Sequence, residues 1–224
     1  MTLAPKASRG EIVVIGGGGH AKVVIDVLRA DGWRPIGVLD PRPPSAEVAG
    51  VPVLGGDDLL PKIRAGGIGV AAVAIGDNMV RLRVGRALEA QGFALTTAIH
   101  PTASVSPTAR LGVGVVVMAQ AAINSEAAVG DLVIVNTGAI IEHDCVIGEG
   151  AHLAPRAAIG GGVTVGAGAL VGIGAVARPG AVIGAGAIVG AGSLVLGEVA
   201  AGAVVGGVPA RPLRGPGRAR STRE

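Results

Sequence analysis

Four histidines, His20, His100, His143 and His152, are the side chains of this sequence best suited to moving a proton near neutral pH. His143 is followed at once by Asp144, a carboxylate that favours the imidazolium formed when the ring takes up a proton. Eighteen residues beyond His143 stands Gly161, whose bare backbone N–H could hold a developing oxyanion. His143, Asp144 and Gly161 therefore outline a general base with an oxyanion site; the competing reading is an ordinary surface histidine. His143, Asp144 and His152 could also be offered to zinc. No third nitrogen or sulfur converges with the two histidines, so no metal site is expected. His20 closes the run Gly16-Gly17-Gly18-Gly19-His20, where it would touch either a loop carbonyl at a helix start or a ligand. His100, before Pro101, reads as a junction residue.

What must position these groups is a six-residue rhythm. From Ile99 through Val105, Leu111 and Val117, every sixth residue up to Val195 is a branched aliphatic, except Ala177. A small residue follows four positions after each one, as at Ala103, Ala121, Ala139 and Cys145. A period of six fits neither an amphipathic helix nor an alternating strand. It is the hexapeptide repeat of a parallel β-helix, in which three hexads make one triangular coil and residues eighteen apart stack. The aliphatic and the small residue point inward. Gly and Asn directly after the aliphatic are expected at corners that need unusual φ and ψ. In this phase His143, two after Ile141, projects outward at a corner. His152, directly before Leu153, also faces out. Cys145 occupies an inward position and reads as packing.

Before the repeat the pattern is βαβ. Strands are expected at Glu11–Ile15, Pro35–Asp40, Val51–Leu54, Val70–Ile75 and Phe93–Ala98, with helices at Ala21–Asp31, Asp57–Ala65 and Val80–Gln91. Arg42–Ala49 reads as a loop, and Arg81, Arg83 and Arg86 as the outer side of the last helix. Such a pattern implies a small parallel sheet covered by helices, with ligands beyond the carboxyl ends of its strands. That rule gathers Gly18, Gly19, His20, Asp40 and Gly76. The glycine run offers N–H groups and a helix N-terminus to an anion, but it does not match a dinucleotide fingerprint. The expected division is a disordered start at 1–10, a Rossmann-like domain at 11–98, the β-helix at 99–206, and a cap with a basic tail at 207–224.

Composition narrows the classes. With one Trp, one Phe, no Tyr and a net charge of +3, much of it from the tail residues Arg211, Arg214, Arg218, Arg220 and Arg223, nucleic-acid binding is not expected. Residues 157–177 carry no formal charge, yet they keep the six-residue phase and are rich in Gly, so no membrane span is expected. Met1–Gly10 has no apolar signal core, which with a single cysteine points to the cytoplasm.

Four segments, in order, carry a resemblance: Val14-Ile-Gly-Gly-Gly-Gly-His-Ala-Lys-Val-Val, Ala74-Ile-Gly-Asp-Asn, Ile99-His-Pro-Thr-Ala and Val135-Asn-Thr-Gly-Ala-Ile-Ile-Glu-His-Asp-Cys. With the closing Gly207-Val-Pro-Ala-Arg they resemble the bacterial nucleotide-sugar acetyltransferases of the hexapeptide superfamily, which join a nucleotide-sugar-binding N-domain to a left-handed β-helix. The glycine start, His-Ala-Lys and the His-Asp-Cys box look closest to the GDP-perosamine N-acetyltransferases. The resemblance implies a homotrimer with acetyl-CoA in the groove between neighbouring prisms. It implies His143 as general base, Asp144 as its orienting acid, and His152, Gly161 and Ile173 against acetyl-CoA. Asn136 would line the acceptor pocket, and Gly18, Gly19, His20, Asp40 and Gly76 the nucleotide-sugar loops. The implied reaction is N-acetylation of the 4-amino group of a nucleotide-linked 4-amino-4,6-dideoxy sugar. Alternatives are a UDP-linked substrate, a sialic-acid-type O-acetyltransferase, or a non-catalytic sugar-nucleotide scaffold.

Overall fold

The computed structural model describes residues 9–213. The expectations for most of the N-terminal decapeptide and for the basic tail beyond 213 lie outside the described residues. Arg9 and Gly10 are an exception to the expected disorder: Arg9 pairs with Asp31 (3.3 Å) and Gly10 opens the first strand.

The N-terminal unit runs β1 (Gly10–Ile15), α1 (Gly19–Ala30), β2 (Trp33–Leu39), β3 (Glu47–Val48), β4 (Val51–Gly55), α2 (Leu60–Ala65), β5 (Val70–Val73), α3 (Asn78–Ala90) and β6 (Ala94–Leu95). Sheet order is β3-β4-β2-β1-β5-β6. All neighbours are parallel except the β3–β4 pair. The continuous apolar run Ile12–Ile15 is buried because both faces of the sheet are covered. Chain order reverses on either side of β1, so the loops after β1 and β5 open onto one crevice. Two strand expectations need correction. Residues Glu47 and Val48, read as loop, form a short hairpin strand against β4. The stretch Phe93–Ala98, read as one strand, splits: Ala94–Leu95 pairs with β5, while Ala98–Ile99 pairs with Val116–Val117 in the repeat.

From Ala98 the chain winds into a three-walled prism of two-residue strands. The first wall stacks Ala98–Ile99, Val116–Val117, Ile134–Val135, His152–Leu153, Leu170–Val171, Ile188–Val189 and Val204–Gly206, and Arg211–Pro212 caps it antiparallel. The second runs from Ser104–Val105 to Leu194–Val195, and the third from Arg110–Leu111 to Glu198–Val199. Stacked partners such as Val117, Val135 and Leu153 are eighteen apart. The last coil is shorter: Ile183 pairs with Val199, sixteen residues on. The interior is the expected aliphatic ladder with Ala, Val and Cys145 beside it.

The corners depart from expectation. Positive φ falls three residues after the aliphatic, at Gly138, Asp144, Gly150 and their equivalents. The glycine directly after the aliphatic is needed for a different reason. A Cβ on Gly130 would lie 2.8 Å from the backbone N of Glu149, and one on Gly160 would lie 2.7 Å from that of Pro179, each in the next coil. Close backbone approach, not left-handed conformation, selects glycine there.

The two units share a core. Val24, Ile25 and Leu28 of α1 pack with Val116, Met118 and Ile134, the outward side chains of the first wall. Leu82 of α3 packs with Leu132 at a prism corner. Arg83 and Arg86 are exposed as expected, with Arg86 paired to Glu149 (2.6 Å). Arg81 is not: its side chain is buried between α3 and the prism, because that face of α3 meets the coils rather than solvent.

Candidate active site

The loop after β1 needs Gly16, whose φ is +99° and whose Cβ would lie 2.8 Å from Ile75 Cγ1. It is tied by Gly17 N–H, which donates to Asp40 Oδ2 (2.7 Å), while Arg42 N–H donates to Asp40 Oδ1 (2.8 Å). Asp40 thus holds the loop in place. A Cβ at Gly18 or Gly19 would meet nothing within 4 Å, so the N-terminal turn of α1 faces open space. A Cβ on Gly76, after β5, would lie 4.0 Å from that of His20, so the two strand-end loops adjoin.

These loops meet the prism at His152. The outward ladder of the first wall is covered by α1 at Val116 and Ile134; His152 is the next rung, half-buried. Its ring centroid lies 6.3 Å from that of His20. Asn136 Nδ2 donates to His152 Nε2 (3.0 Å), which leaves the ring proton on Nδ1. Burial first, and then the Arg81 cation, push His152 and His20 down to about 4, so both are neutral at physiological pH. The Nε2 of His20 is buried without a hydrogen-bond partner. Beside His152 opens a cavity of about 290 Å³ lined by Gly76, Asp77, Asn78, Met79, Gly168, Leu170, Gly186 and Ile188. Asp77 caps α3 by accepting from Val80 N–H (2.8 Å), and Asn78 Nδ2 donates to Gly168 O (2.9 Å). The cavity is therefore held by both units.

The second constellation lies elsewhere on the prism. His143 Nδ1 donates to Asp144 Oδ2 (2.7 Å), which raises the imidazole above its ordinary 6.5. Asp144 sits at the left-handed corner position with φ 59°, a conformation Asp tolerates better than most residues. The ring lies over Gly161, where a Cβ would come 2.6 Å from His143 Nε2. Both side chains are well exposed, at 63% and 65%. Their corner joins the second and third walls and so lies opposite the first wall. Ile173, 60% exposed, stands at the corner between the first and second walls.

Within one chain the structure thus brings His20, Gly76, Asn136 and His152 together, with Asp40 behind the glycine loop. It groups His143, Asp144 and Gly161 apart from them. Arg81, Met79, Leu170 and Ile188 are absent from the sequence-derived site. The outward phase of Leu170 and Ile188, eighteen and thirty-six residues after His152, was the one signal that could have found two of them. Among the described residues no group of three or more His, Cys, Asp or Glu could hold a metal ion.

A prism of hexapeptide coils joined to a parallel α/β unit, with an exposed His–Asp pair, defines an acyltransferase of the left-handed β-helix class. Comparison with known proteins agrees. Residues 11–88 match the PglD N-terminal domain. PerB from Caulobacter crescentus, solved in complex with CoA and GDP-perosamine, is 48% identical over 93% of this chain and 100% of its own, with a TM-score of 0.88. The acetyltransferase domain of PglB from Neisseria gonorrhoeae, solved with acetyl coenzyme A, is 37% identical over 92% and 100%, with a TM-score of 0.87. WeeI from Acinetobacter baumannii is 27% identical over 91% and 100%, with a TM-score of 0.82. No curated protein sequence matches. The chain belongs to the hexapeptide-type nucleotide-sugar N-acetyltransferases, enzymes that use acetyl-CoA.

Proposed function

We propose that this enzyme transfers acetyl directly from acetyl-CoA to the 4-amino group of a nucleotide-linked 4-amino-4,6-dideoxyhexose, GDP-perosamine or a close analogue, with His143 as general base. The observation that carries this reading is the His143–Asp144 pair lying over Gly161. The amine nitrogen attacks the thioester carbonyl while neutral His143 takes its proton, and Asp144 stabilises the imidazolium. The Gly161 N–H receives the oxyanion of the tetrahedral intermediate. The C–S bond then breaks, and the departing thiolate recovers the proton as CoA thiol. No covalent enzyme intermediate is required, and Cys145 is buried in the prism. GDP is favoured by the ligand of the 48%-identical Caulobacter enzyme.

The reading includes a homotrimer. The cavity at His152 and the His143 corner lie on opposite sides of one prism, and in this reading a second copy brings its His143 to the cavity of the first. Outward Ile140 and Val176 on the second wall, and Val146 and Val182 on the third, flank that corner and are exposed in the single chain. Apolar strips of this kind mark an interface. His20, Asp40, Gly18, Gly19 and Gly76 hold the sugar nucleotide, Asn136 lines the acceptor site, and His152 and Ile173 contact acetyl-CoA. Among the described residues no helix is long and apolar enough to cross a membrane. The proposed place of the reaction is the cytoplasm. The test is turnover of GDP-perosamine with acetyl-CoA by the wild type and by His143→Ala. A loss of about 10²–10⁴ in kcat is expected; a near-wild-type rate for the variant would refute the assignment.

A further inference from the structure

Arg81 is a buried cation that the acyl-transfer scheme above does not use. Its guanidinium is spent on several elements at once. Nε donates to Leu132 O (2.8 Å), Nη1 to Ile75 O (3.0 Å) and Gly76 O (3.1 Å), and Nη2 to Asn78 Oδ1 (2.8 Å) and Gly150 O (2.7 Å). Leu132 and Gly150 belong to successive coils, and Gly150 is two residues before His152. Ile75, Gly76 and Asn78 form the loop that lines the cavity. One planar, five-donor group therefore sets the cavity loop of the N-terminal unit against the coil that carries His152. A lysine could not reproduce this fork. Burying an arginine this fully costs stability unless every donor is matched, and here the partners are mostly carbonyls, which leave the charge in place.

We infer that Arg81 is the positioning residue of the acceptor site: its fork fixes the Gly76–Asn78 loop over His152. The inference rests on the acetyl-transfer reading for its kinetic test only. The charge acts from α3 on both rings; Asp77, at the N-cap of α3, faces Arg81, and the two imidazoles face each other. A protonated His152 could not accept from Asn136 at Nε2, so the hydrogen bond needs a neutral ring, which burial favours first and the Arg81 charge second.

Two variants separate the fork from the charge. Arg81→Lys keeps a cation and loses the fork. With GDP-perosamine as the variable substrate, its KM should rise about ten- to hundredfold while the KM for acetyl-CoA stays near wild type. A wild-type KM for the sugar nucleotide would overturn the positioning role, and the assay needs no other variant to fold. Arg81→Gln loses the charge. NMR titration of the histidine Cε1–H signals of the full chain should then show His20 and His152 titrating at higher pH than in wild type. Burial, the larger cause, still holds them below 6.5. Unmoved titrations in a folded Arg81→Gln protein would overturn the electrostatic role. Should the wild type fail to acetylate any nucleotide amino sugar, the functional reading falls while the titration still decides the charge effect.

Discussion

At the scale of single residues, the proposed mechanism has the His143–Asp144 pair set the pH at which the enzyme works. His143 acts as a base only when neutral, and its bond to Asp144 raises its proton affinity above the ordinary 6.5. The acidic limb of kcat/KM should therefore lie above pH 6.5 in the wild type. Asp144→Asn keeps a residue that tolerates the φ of 59° but removes the charge. Its acidic limb should move to lower pH, with a lower plateau; a limb that stays in place would show that Asp144 does not orient the base. His143 and Asp144 were legible in the sequence because the hexad phase fixes which way each side chain points. Arg81 was not. The spacing of apolar residues along α3 shows one covered face, but nothing local reveals that the prism, reached 51 residues later at Leu132, covers the arginine too.

At the scale of elements, two classes of corner glycine hold the coils at their spacing, and they should fail differently. Gly174 has φ +64° and open space around its Cβ position, so Gly174→Ala should cost only the left-handed strain of about 1–2 kcal/mol. Gly174→Asn should recover part of that, since Asn enters this region more readily. Gly172 has no positive φ, but its Cβ would lie 2.6 Å from Val189 O and 2.7 Å from Ala191 N. Gly172→Ala should destabilise more, and Gly172→Asn should bring no recovery. Thermal melting of the four variants checks the distinction, and recovery at both positions would refute it. The sequence hid the distinction because both classes are written with the same letter. It displayed the prism itself plainly, since each coil repeats its predecessor and an inward aliphatic recurs at every sixth residue. The short strand β3 was hidden for the opposite reason: Glu47 and Val48 follow Pro41, Pro43 and Pro44, and only the partner strand β4 makes them a ladder.

At the scale of the whole molecule, the contact between the two units carries an acid sensitivity. Unfolded imidazoles take up protons near pH 6.5, whereas His20 and His152 in the folded chain do so near 4. Between these values the unfolded state binds more protons, so stability is full above pH 6.5 and falls as the pH drops toward 4, by on the order of a few kcal/mol per histidine. Melting temperature against pH should show this fall in wild type and a flatter profile in His20→Gln/His152→Gln. An equal fall in both would place the acid sensitivity elsewhere.

The same contact puts the cavity beside His152 on one side of the prism and the His143 corner on the other, so under the proposed mechanism catalysis joins two copies. Mixing refolded His143→Ala with refolded His152→Ala tests this most directly, provided each is inactive alone and mass measurement confirms mixed trimers. Where the cavity of the first variant meets His143 from the second, a wild-type site re-forms, and acetylation of GDP-perosamine should return. Mixed trimers as inactive as either parent would mean that one chain holds the whole site, contrary to the geometry described.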